Sequence, residues 1–206
     1  MPDWDADSRA LRRNLDQVLR GARDSANRPN MPTVQLARRW QHDSMAGLDA
    51  PDRKHVGHFR GELCLERVGV RVGRHHGVPP ADVAAALKVF EQKLQRAVHV
   101  LDAAYAHGHA LDEDGLEAVI DLSAWAHAEW VRIHPFANGN GRTARIWANW
   151  IFMRYGVPPV VRLRPRPDGE YGRAGAAAML GDARPTAAVF RKMLSDWSPR
   201  GARERP

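Results

Sequence analysis

One stretch of the chain decides the fold, HPFANGNGRTAR at residues 134–145, because segments of helical periodicity lie on both sides of it. Apolar residues recur every three or four positions over residues 112–134, which predicts a helix that leads into the stretch. Residues 141–155 predict a second helix that begins inside it. Between the two, Gly139 and Gly141 allow positive φ angles and a close approach of the main chain to a ligand. The sequence therefore predicts a glycine-rich loop that opens a helix.

Two arginines at the start of the second helix predict an anionic ligand. Arg142 and Arg145 fall in its first turn, where the positive end of the helix dipole disfavours each cation by up to about 1 kcal/mol. A polyphosphate would offset this cost, because guanidinium groups hold phosphate in bidentate geometry and N–H groups at a helix start attract anions. His134 precedes them and can accept a proton, whereas His127 on the same helical face is expected to be buried with a hydrogen-bond partner. Base, anion-binding turn and arginines together indicate phosphoryl or nucleotidyl transfer.

The flanking sequence predicts a mainly α protein with one small hairpin. Alternation of Val68, Val70 and Val72 with Gly69 and Arg71 has a period of two, which is typical of a short strand. The segment is too short to form a sheet of its own, so we expect an exposed β-hairpin before the core helices. Further helices are predicted at about residues 8–23, 33–44, 81–108, 171–180 and 185–197.

The composition is that of one domain with a helical extension. The chain has 206 residues, 44% of them hydrophobic, and no run of the roughly 20 apolar residues that a membrane helix requires. The N-terminus lacks the apolar core of a secretion signal, and Cys64 alone cannot form an internal disulfide. We therefore expect a cytoplasmic protein without a membrane partner. A formal charge of +7 suits a phosphate-rich ligand, an acidic protein surface or nucleic acid, and does not choose among them.

Residues 134–145 resemble the signature of the Fic family. That signature reads His-Pro-Phe, any residue, Asp or Glu, Gly-Asn-Gly-Arg, two residues and Arg, and eight of its nine specified positions match this chain. The resemblance covers roughly residues 55–195 and implies the Fic fold, a helical bundle with a small β-hairpin flap before the core helices. On this basis we expect an N-terminal helical extension at 1–54, a Fic domain at 55–197 and a flexible C-terminal tail at 198–206.

The resemblance also implies a reaction, the transfer of AMP from ATP to a Ser, Thr or Tyr hydroxyl of a target protein. His134 would take the proton from that hydroxyl, which then attacks the α-phosphate of ATP. The nucleotide would be held by residues of the motif and one beyond it: Gly139, Asn140, Gly141, Arg142, Arg145 and Tyr171. Mg²⁺ or Mn²⁺ would accompany the leaving pyrophosphate. The segment containing Val68, Val70 and Val72 resembles the family's flap, which aligns the target protein by strand addition.

Asn138 departs from the family pattern. It occupies the position where the family usually has an acidic metal ligand, and its amide oxygen can coordinate Mg²⁺ without bringing a charge. The resemblance therefore implies that Asn138 is the metal ligand of this chain. Its consequences stay open: slower transfer, a greater need for metal, a different donor, or a catalytically silent protein.

A regulatory motif carried by many members of the family does not occur in this sequence. That motif places Ser or Thr four residues before a Glu that is followed by Gly or Asn, and the Glu blocks the second arginine. Glu62 is the first glutamate of the chain, so the helices before it contain none. The resemblance thus implies either a toxin held by a separate antitoxin-like inhibitor or an unregulated enzyme.

Two alternatives to AMP transfer remain open. Some relatives transfer phosphate or another phosphate-containing group, although retention of Gly141, Arg142 and Arg145 favours AMP here. A catalytically silent binding module would instead use the basic surface and the flap to hold a partner, and Asn138 is the feature that points to it. Nucleic acid is not expected as a partner of the enzyme.

Overall fold

Apolar periodicity along the chain becomes seven α-helices in the computed structural model, which describes residues 8–50, 52–105 and 110–197. In chain order they are α1 (Arg9–Ala26), α2 (Val34–Ser44), α3 (Val83–Ala104), α4 (Glu113–Ile133), α5 (Asn140–Arg154), α6 (Glu170–Ala178) and α7 (Arg184–Asp196). Two short strands, β1 (Arg71–Val72) and β2 (His75–His76), pair antiparallel ahead of α3. The predicted fold class, mainly α with a hairpin before the core helices, is confirmed.

Helices α4 and α5 form the centre of the core through large aromatic side chains. Trp130 of α4 and Trp147 of α5 are both fully buried, and their ring centroids lie 5.9 Å apart in an edge-to-face arrangement. Phe90 of α3 packs edge-on against both rings, at 5.3 and 5.7 Å. The indole N–H of Trp130 donates to the hydroxyl of Thr143 at 2.7 Å, so a buried polar group is satisfied. These contacts fix α5, and with it the motif, against α4.

The two N-terminal helices pack on α5 in the same hydrophobic core. Trp40 of α2 meets Trp147 edge-to-face at 4.8 Å, and the indole N–H of Trp150 donates to the Ser25 hydroxyl of α1 at 2.9 Å. At the end of α5, the buried guanidinium of Arg154 donates to the carbonyl of Arg28 at 2.9 Å. Helix α2 is thereby held close to the beginning of α5, where the motif lies.

The hairpin is shorter than the valine alternation predicts. Only Val72 of the three valines lies in β1, where it faces His75, whereas Val68 and Val70 precede the strand. The strand prediction is therefore wrong for these two residues. One physical reason is visible at Val68, whose carbonyl accepts a hydrogen bond from the guanidinium of Arg60 at 3.2 Å and is not free for strand pairing.

None of the helices in the described part of the chain is both long enough and apolar enough to cross a lipid bilayer. The predicted C-terminal tail at 198–206 lies outside the described residues. The boundary predicted between an extension at 1–54 and a domain at 55–197 stays a prediction.

Candidate active site

His134 is placed at the end of α4 in a left-handed conformation, with φ 54° and ψ 56°. This conformation costs a residue other than glycine roughly 1–2 kcal/mol, so other contacts must hold it. Its Nδ1 lies 2.9 Å from the carbonyl oxygen of Val131, which assigns the proton to Nδ1 and leaves Nε2 as the acceptor. Burial lowers the pKa of His134, the hydrogen bond to Val131 opposes this effect, and the charge of Arg60 adds to it. The imidazole is therefore held in the neutral form that accepts a proton.

The loop after His134 is held by the side chain of Asn140. The amide of Asn140 accepts from the main-chain N–H of Phe136 and donates to its carbonyl, both at 2.8 Å. Phe136 is fully buried and forms an isolated antiparallel bridge with Phe59. The Asn140 side chain is thus occupied within the loop, so its available contribution to a ligand is its main-chain N–H.

The beginning of α5 has the properties of an anion site. Gly139 precedes the helix with φ 89°, a conformation that glycine adopts without strain. The first main-chain bond of the helix runs from the N–H of Thr143 to the carbonyl of Gly139 at 2.9 Å. Across the described residues, no main-chain partner is found for the N–H groups of Gly139, Asn140 and Gly141. Such N–H groups at the positive end of a helix attract an anion.

Both arginines of the motif are buried, with 4% of Arg142 and 3% of Arg145 exposed. Arg142 donates from Nη2 to the amide oxygen of Asn138 at 3.0 Å. Arg145 donates to the hydroxyl of Tyr171 at 3.4 Å and to the carbonyl of Leu163 at 3.0 Å. Within the described part of the chain, Arg145 therefore has neutral partners only. A buried cation without a counter-charge is costly, and a bound anion would remove that cost.

One cavity of about 780 Å³ joins the hairpin, the motif and α6. It brings together most of the predicted site residues: His134, Asn138, Gly139, Asn140, Gly141, Arg142, Arg145, Tyr171 and Val72. Val68 and Val70 are not among its described lining residues. The sequence did not assign four further side chains that line it, Arg74, His75, Arg164 and Arg166. The described lining contains five arginines and neither Asp nor Glu, so the cavity suits a polyanion.

His127 is buried on α4 and also lines the cavity. Its Nε2 lies 2.7 Å from the hydroxyl of Tyr171, which confirms the predicted buried histidine with a hydrogen-bond partner. Burial lowers the pKa of His127 to about 3, with smaller contributions from the charges of Arg145 and Arg166. His127 is therefore neutral at physiological pH, and it connects α4 to the wall formed by α6.

Two buried side chains outside the motif support the loop and were missed in the sequence. Gln41 of α2 donates to the carbonyl of Asn138 at 3.3 Å and accepts from the N–H of Gly57 at 2.5 Å. Arg60 donates from Nε to the carbonyl of His134 at 2.7 Å. Both side chains bind main-chain atoms. Every residue has these atoms, so the sequence around the partner residues gives no sign of the contact.

The side chains around Asn138 do not fit a protein-held divalent metal ion. The amide oxygen of Asn138 already accepts from the guanidinium of Arg142, which places a cation where the metal would bind. Across the described residues, no group of three or more His, Cys, Asp or Glu side chains is arranged to hold a metal. Mg²⁺ binds through hard oxygen ligands and commonly through carboxylates, which the described lining of the cavity does not offer.

Comparison with known proteins places this geometry in one family. The sequence profile described as "Fic/DOC family" matches residues 33–152, which is more than half of the chain. The match begins at Thr33, immediately before α2, and ends within α5, so it contains the hairpin and the complete 134–145 motif.

Curated relatives from different animals are both named as protein adenylyltransferases. "Protein adenylyltransferase fic-1" of Caenorhabditis elegans is 48% identical over 66 residues, which cover 32% of this chain and 13% of that protein. "Protein adenylyltransferase Fic" of Drosophila persimilis is 34% identical over 137 residues, which cover 65% of this chain and 23% of that protein. The chain thus spans less than a quarter of the length of these relatives.

Solved structures share the fold. Fic-1 from C. elegans superposes with a TM-score of 0.59 at 28% identity, over 88% of this chain and 46% of that one. The BepC protein from Bartonella tribocorum, solved with bound AMPPNP, superposes with a TM-score of 0.60 over 94% of this chain and 90% of that one. At 16% identity, the second comparison speaks for the fold alone.

Proposed function

Because the chain belongs to the Fic/DOC family, we propose that it transfers AMP from ATP to a Ser, Thr or Tyr hydroxyl of a target protein. The observation that carries the proposal is the single cavity in which His134, the beginning of α5 and the buried Arg145 meet. The relatives named as protein adenylyltransferases support the same reaction class.

His134 acts as the general base in this proposal. Its Nε2 takes the proton of the target hydroxyl while Nδ1 keeps its hydrogen bond to Val131, so the ring does not rotate during the transfer. The hydroxyl oxygen attacks the α-phosphorus and forms a phosphoester bond with AMP. The bond from the α-phosphorus to the oxygen bridging to the β-phosphate breaks, and that oxygen leaves as part of pyrophosphate.

Negative charge that develops on the phosphates is stabilised by N–H groups and guanidinium groups whose positions are fixed before the reaction. The N–H groups of Gly139, Asn140 and Gly141, at the positive end of α5, donate hydrogen bonds to phosphate oxygens of ATP. Arg142 and Arg145 hold the β- and γ-phosphates, and Tyr171, bonded to Arg145, forms the adjoining wall. Since Arg145 is already buried among neutral partners in the described structure, donor binding supplies its missing counter-charge.

Divalent metal is the part of the predicted chemistry that the site supports least. Mg²⁺ or Mn²⁺ predicted at Asn138 would have to displace the Arg142 guanidinium from the amide oxygen. The proposed transfer therefore includes no step at a metal held by Asn138. The five arginines of the described lining provide positive charge for the phosphates by themselves.

The target protein is proposed to approach along the hairpin. Val72 of β1 lines the cavity and is 40% exposed, so a bound segment beside β1 would lie next to the donor. A separate antitoxin-like inhibitor is proposed from the described contacts of Arg145, since no glutamate of the described chain pairs with it. Co-purification from the native host tests this, and a lone, fully active and harmless protein would contradict it.

Labelled ATP tests the reaction itself. Purified protein, His134→Ala and the control His99→Ala, an exposed histidine of α3, are incubated with host lysate and with α- or γ-labelled ATP. We expect label from α-labelled ATP only, lost in His134→Ala and kept in His99→Ala. Label from γ-labelled ATP would move the proposal to phosphate transfer. No label from any donor, also after Asn138→Asp, would favour the catalytically silent binding module.

A further inference from the structure

Arg60 is a buried arginine outside the motif, with 1% of its surface exposed. Its Nε donates to the carbonyl of His134 at 2.7 Å, and Nη2 donates to the carbonyls of Ile133 at 3.0 Å and Val78 at 2.8 Å. Nη1 donates to the carbonyl of Val68 at 3.2 Å. Every described acceptor of this guanidinium is a main-chain oxygen, so its contacts serve to fix the course of the backbone.

The main chain of Arg60 is also fixed beside the motif. Its N–H donates to the carbonyl of Pro135 at 2.7 Å. The preceding residue, Phe59, forms an antiparallel bridge with Phe136, and the two rings lie 4.8 Å apart. Arg60 therefore approaches the loop from a segment that is itself paired with it, and the guanidinium has little freedom to move away.

Three hydrogen bonds hold His134 in its left-handed conformation. The main-chain N–H bonds to the carbonyl of Trp130 at 3.0 Å, and the ring Nδ1 bonds to that of Val131 at 2.9 Å. The third is the bond from Arg60 to the His134 carbonyl, and of the three it is the one that comes from the side chain of another residue. The orientation of the peptide after His134, and hence the direction of the imidazole, depends on that bond.

The same guanidinium reaches both ends of the hairpin segment. Val68 lies before β1 and Val78 lies after β2, and Arg60 bonds to the carbonyls of both. The base of the hairpin is also in direct contact with His134, since a Cβ on Gly77 would lie 2.7 Å from the His134 Cβ and 3.1 Å from Nη2 of Arg60. A shift of the hairpin would therefore change the position of the His134 side chain.

We propose that Arg60 is a positioning residue that orients the His134 imidazole and couples this orientation to the hairpin. Arg60 is not among the described residues that line the cavity, so it acts through His134 and makes no contact with the donor. The inference rests on the proposed function for the reaction that it serves. The orientation itself is a property of the folded protein and is measured without any donor.

Histidine NMR tests the orientation directly. The full chain, labelled at the histidine ring carbons, is titrated with pH as wild type, Arg60→Met and Arg60→Lys, and His134→Ala identifies the His134 signal. In Arg60→Met we expect a different chemical shift and a higher pKa for His134, because the Arg60 charge lowers that pKa in the wild type. In Arg60→Lys the positive charge remains but the planar guanidinium is lost. We therefore expect the chemical shift of His134 to change while its pKa stays low.

The other charged and titratable side chains that share the cavity with His134 are the same in all variants. They are Arg74, His75, His127, Arg142, Arg145, Arg164, Arg166 and Tyr171. Arg38→Met is the matched control, because Arg38 is a partly buried arginine that pairs with Glu62 and lies over the Phe59 ring at 4.5 Å. We expect this control to leave the His134 signal unchanged.

Kinetics provide the second readout. For AMP transfer, we expect Arg60→Lys to lower kcat about 100-fold, the order of effect of a displaced catalytic group, with KM for ATP within about twofold. If Arg60→Met does not fold, Gly77→Ala is the second variant. Its Cβ would lie 2.7 Å from the His134 Cβ, so it should displace His134 and also lower kcat while KM for ATP stays within about twofold. An unchanged His134 signal and kcat in folded Arg60→Lys and Gly77→Ala would overturn the inference. A wild type without transfer activity would refute the proposed function only, since the NMR result still decides the role of Arg60.

Discussion

At His127, a neutral imidazole is buried with one described hydrogen bond, to Tyr171. Its pKa is lowered from 6.5 to about 3, mainly by burial. The unfolded state therefore binds one more proton than the folded state between these two pH values. Stability contributed by the neutral form is complete above pH 6.5 and is lost as pH falls, by roughly 1.4 kcal/mol for each pH unit.

Urea unfolding between pH 7 and 5 measures this dependence, in a range above the ordinary carboxylate pKa values. We expect His127→Gln to flatten the fall in the free energy of unfolding relative to the wild type. The exposed His99 provides the control, and His99→Gln should keep the wild-type slope. Equal slopes in all three proteins would show that His127 is not the group responsible.

Asn138 gives a second prediction at the scale of a single residue. A carboxylate at this position would add a charge that Mg²⁺ prefers and a second oxygen, so that one oxygen can pair with Arg142 while the other binds the metal. We expect Asn138→Asp to lower the Mg²⁺ concentration needed for half-maximal AMP transfer. Asn138→Ala serves as the control, since it removes the amide without adding charge. A metal titration that is the same in all three proteins would refute the idea.

At the scale of elements, Gly139 joins the loop to α5 through a backbone with φ 89°. An alanine there has ordinary space around its Cβ, 3.4 Å from Gln41, but must adopt a left-handed conformation. We expect Gly139→Ala to lower the free energy of unfolding by about 1–2 kcal/mol. Gly21 of α1 is the matched control: a Cβ there meets nothing within 4 Å, and alanine should stabilise the helix by about 0.5–1 kcal/mol. In denaturant unfolding, the free energy of unfolding should therefore fall in Gly139→Ala and rise in Gly21→Ala.

Helices and the motif loop were predictable from the sequence because they depend on local patterns. Apolar spacing located α4 and α5 to within about a residue, and the two glycines located the turn between them. The extent of β1 was not predictable from the valine alternation, because the carbonyl of Val68 accepts a hydrogen bond from Arg60. The roles of Arg60 and Gln41 were hidden for the same reason, since both bind main-chain atoms far away in sequence.

At the scale of the whole molecule, Arg154 connects four parts of the fold. This buried residue at the end of α5 pairs with Asp102 of α3 at 2.6 Å. It also donates to the carbonyl of Ala26, the last residue of α1, and to that of Arg28 in the loop after α1. Removing Arg154 takes away the cation that pairs with the Asp102 carboxylate, whose side chain is 27% exposed, together with the hydrogen bonds to the two carbonyls. We therefore expect Arg154→Met to lower the free energy of unfolding by about 3–5 kcal/mol.

A surface arginine supplies the comparison. Arg191 of α7 pairs with Glu117 at 2.7 Å and Asp121 at 2.9 Å in an exposed network. We expect Arg191→Met to change the free energy of unfolding by less than about 1 kcal/mol, because water screens both pairs. Similar losses for the two variants in guanidinium unfolding would contradict the role assigned to Arg154.

The described wall of the cavity, with five arginines and no carboxylate, also has a consequence for repeated rounds of the proposed AMP transfer. After AMP has moved to the target, pyrophosphate keeps the part of the donor with the highest charge density and faces the same cations. Its departure, rather than bond formation, should then set the pace of repeated rounds. We expect a burst of one AMP transferred per protein molecule before a slower steady state, and added pyrophosphate, which rebinds in the emptied cavity, should lower the steady-state rate further. A higher pyrophosphate concentration in the cell would therefore lower the rate of repeated AMP transfer by this protein.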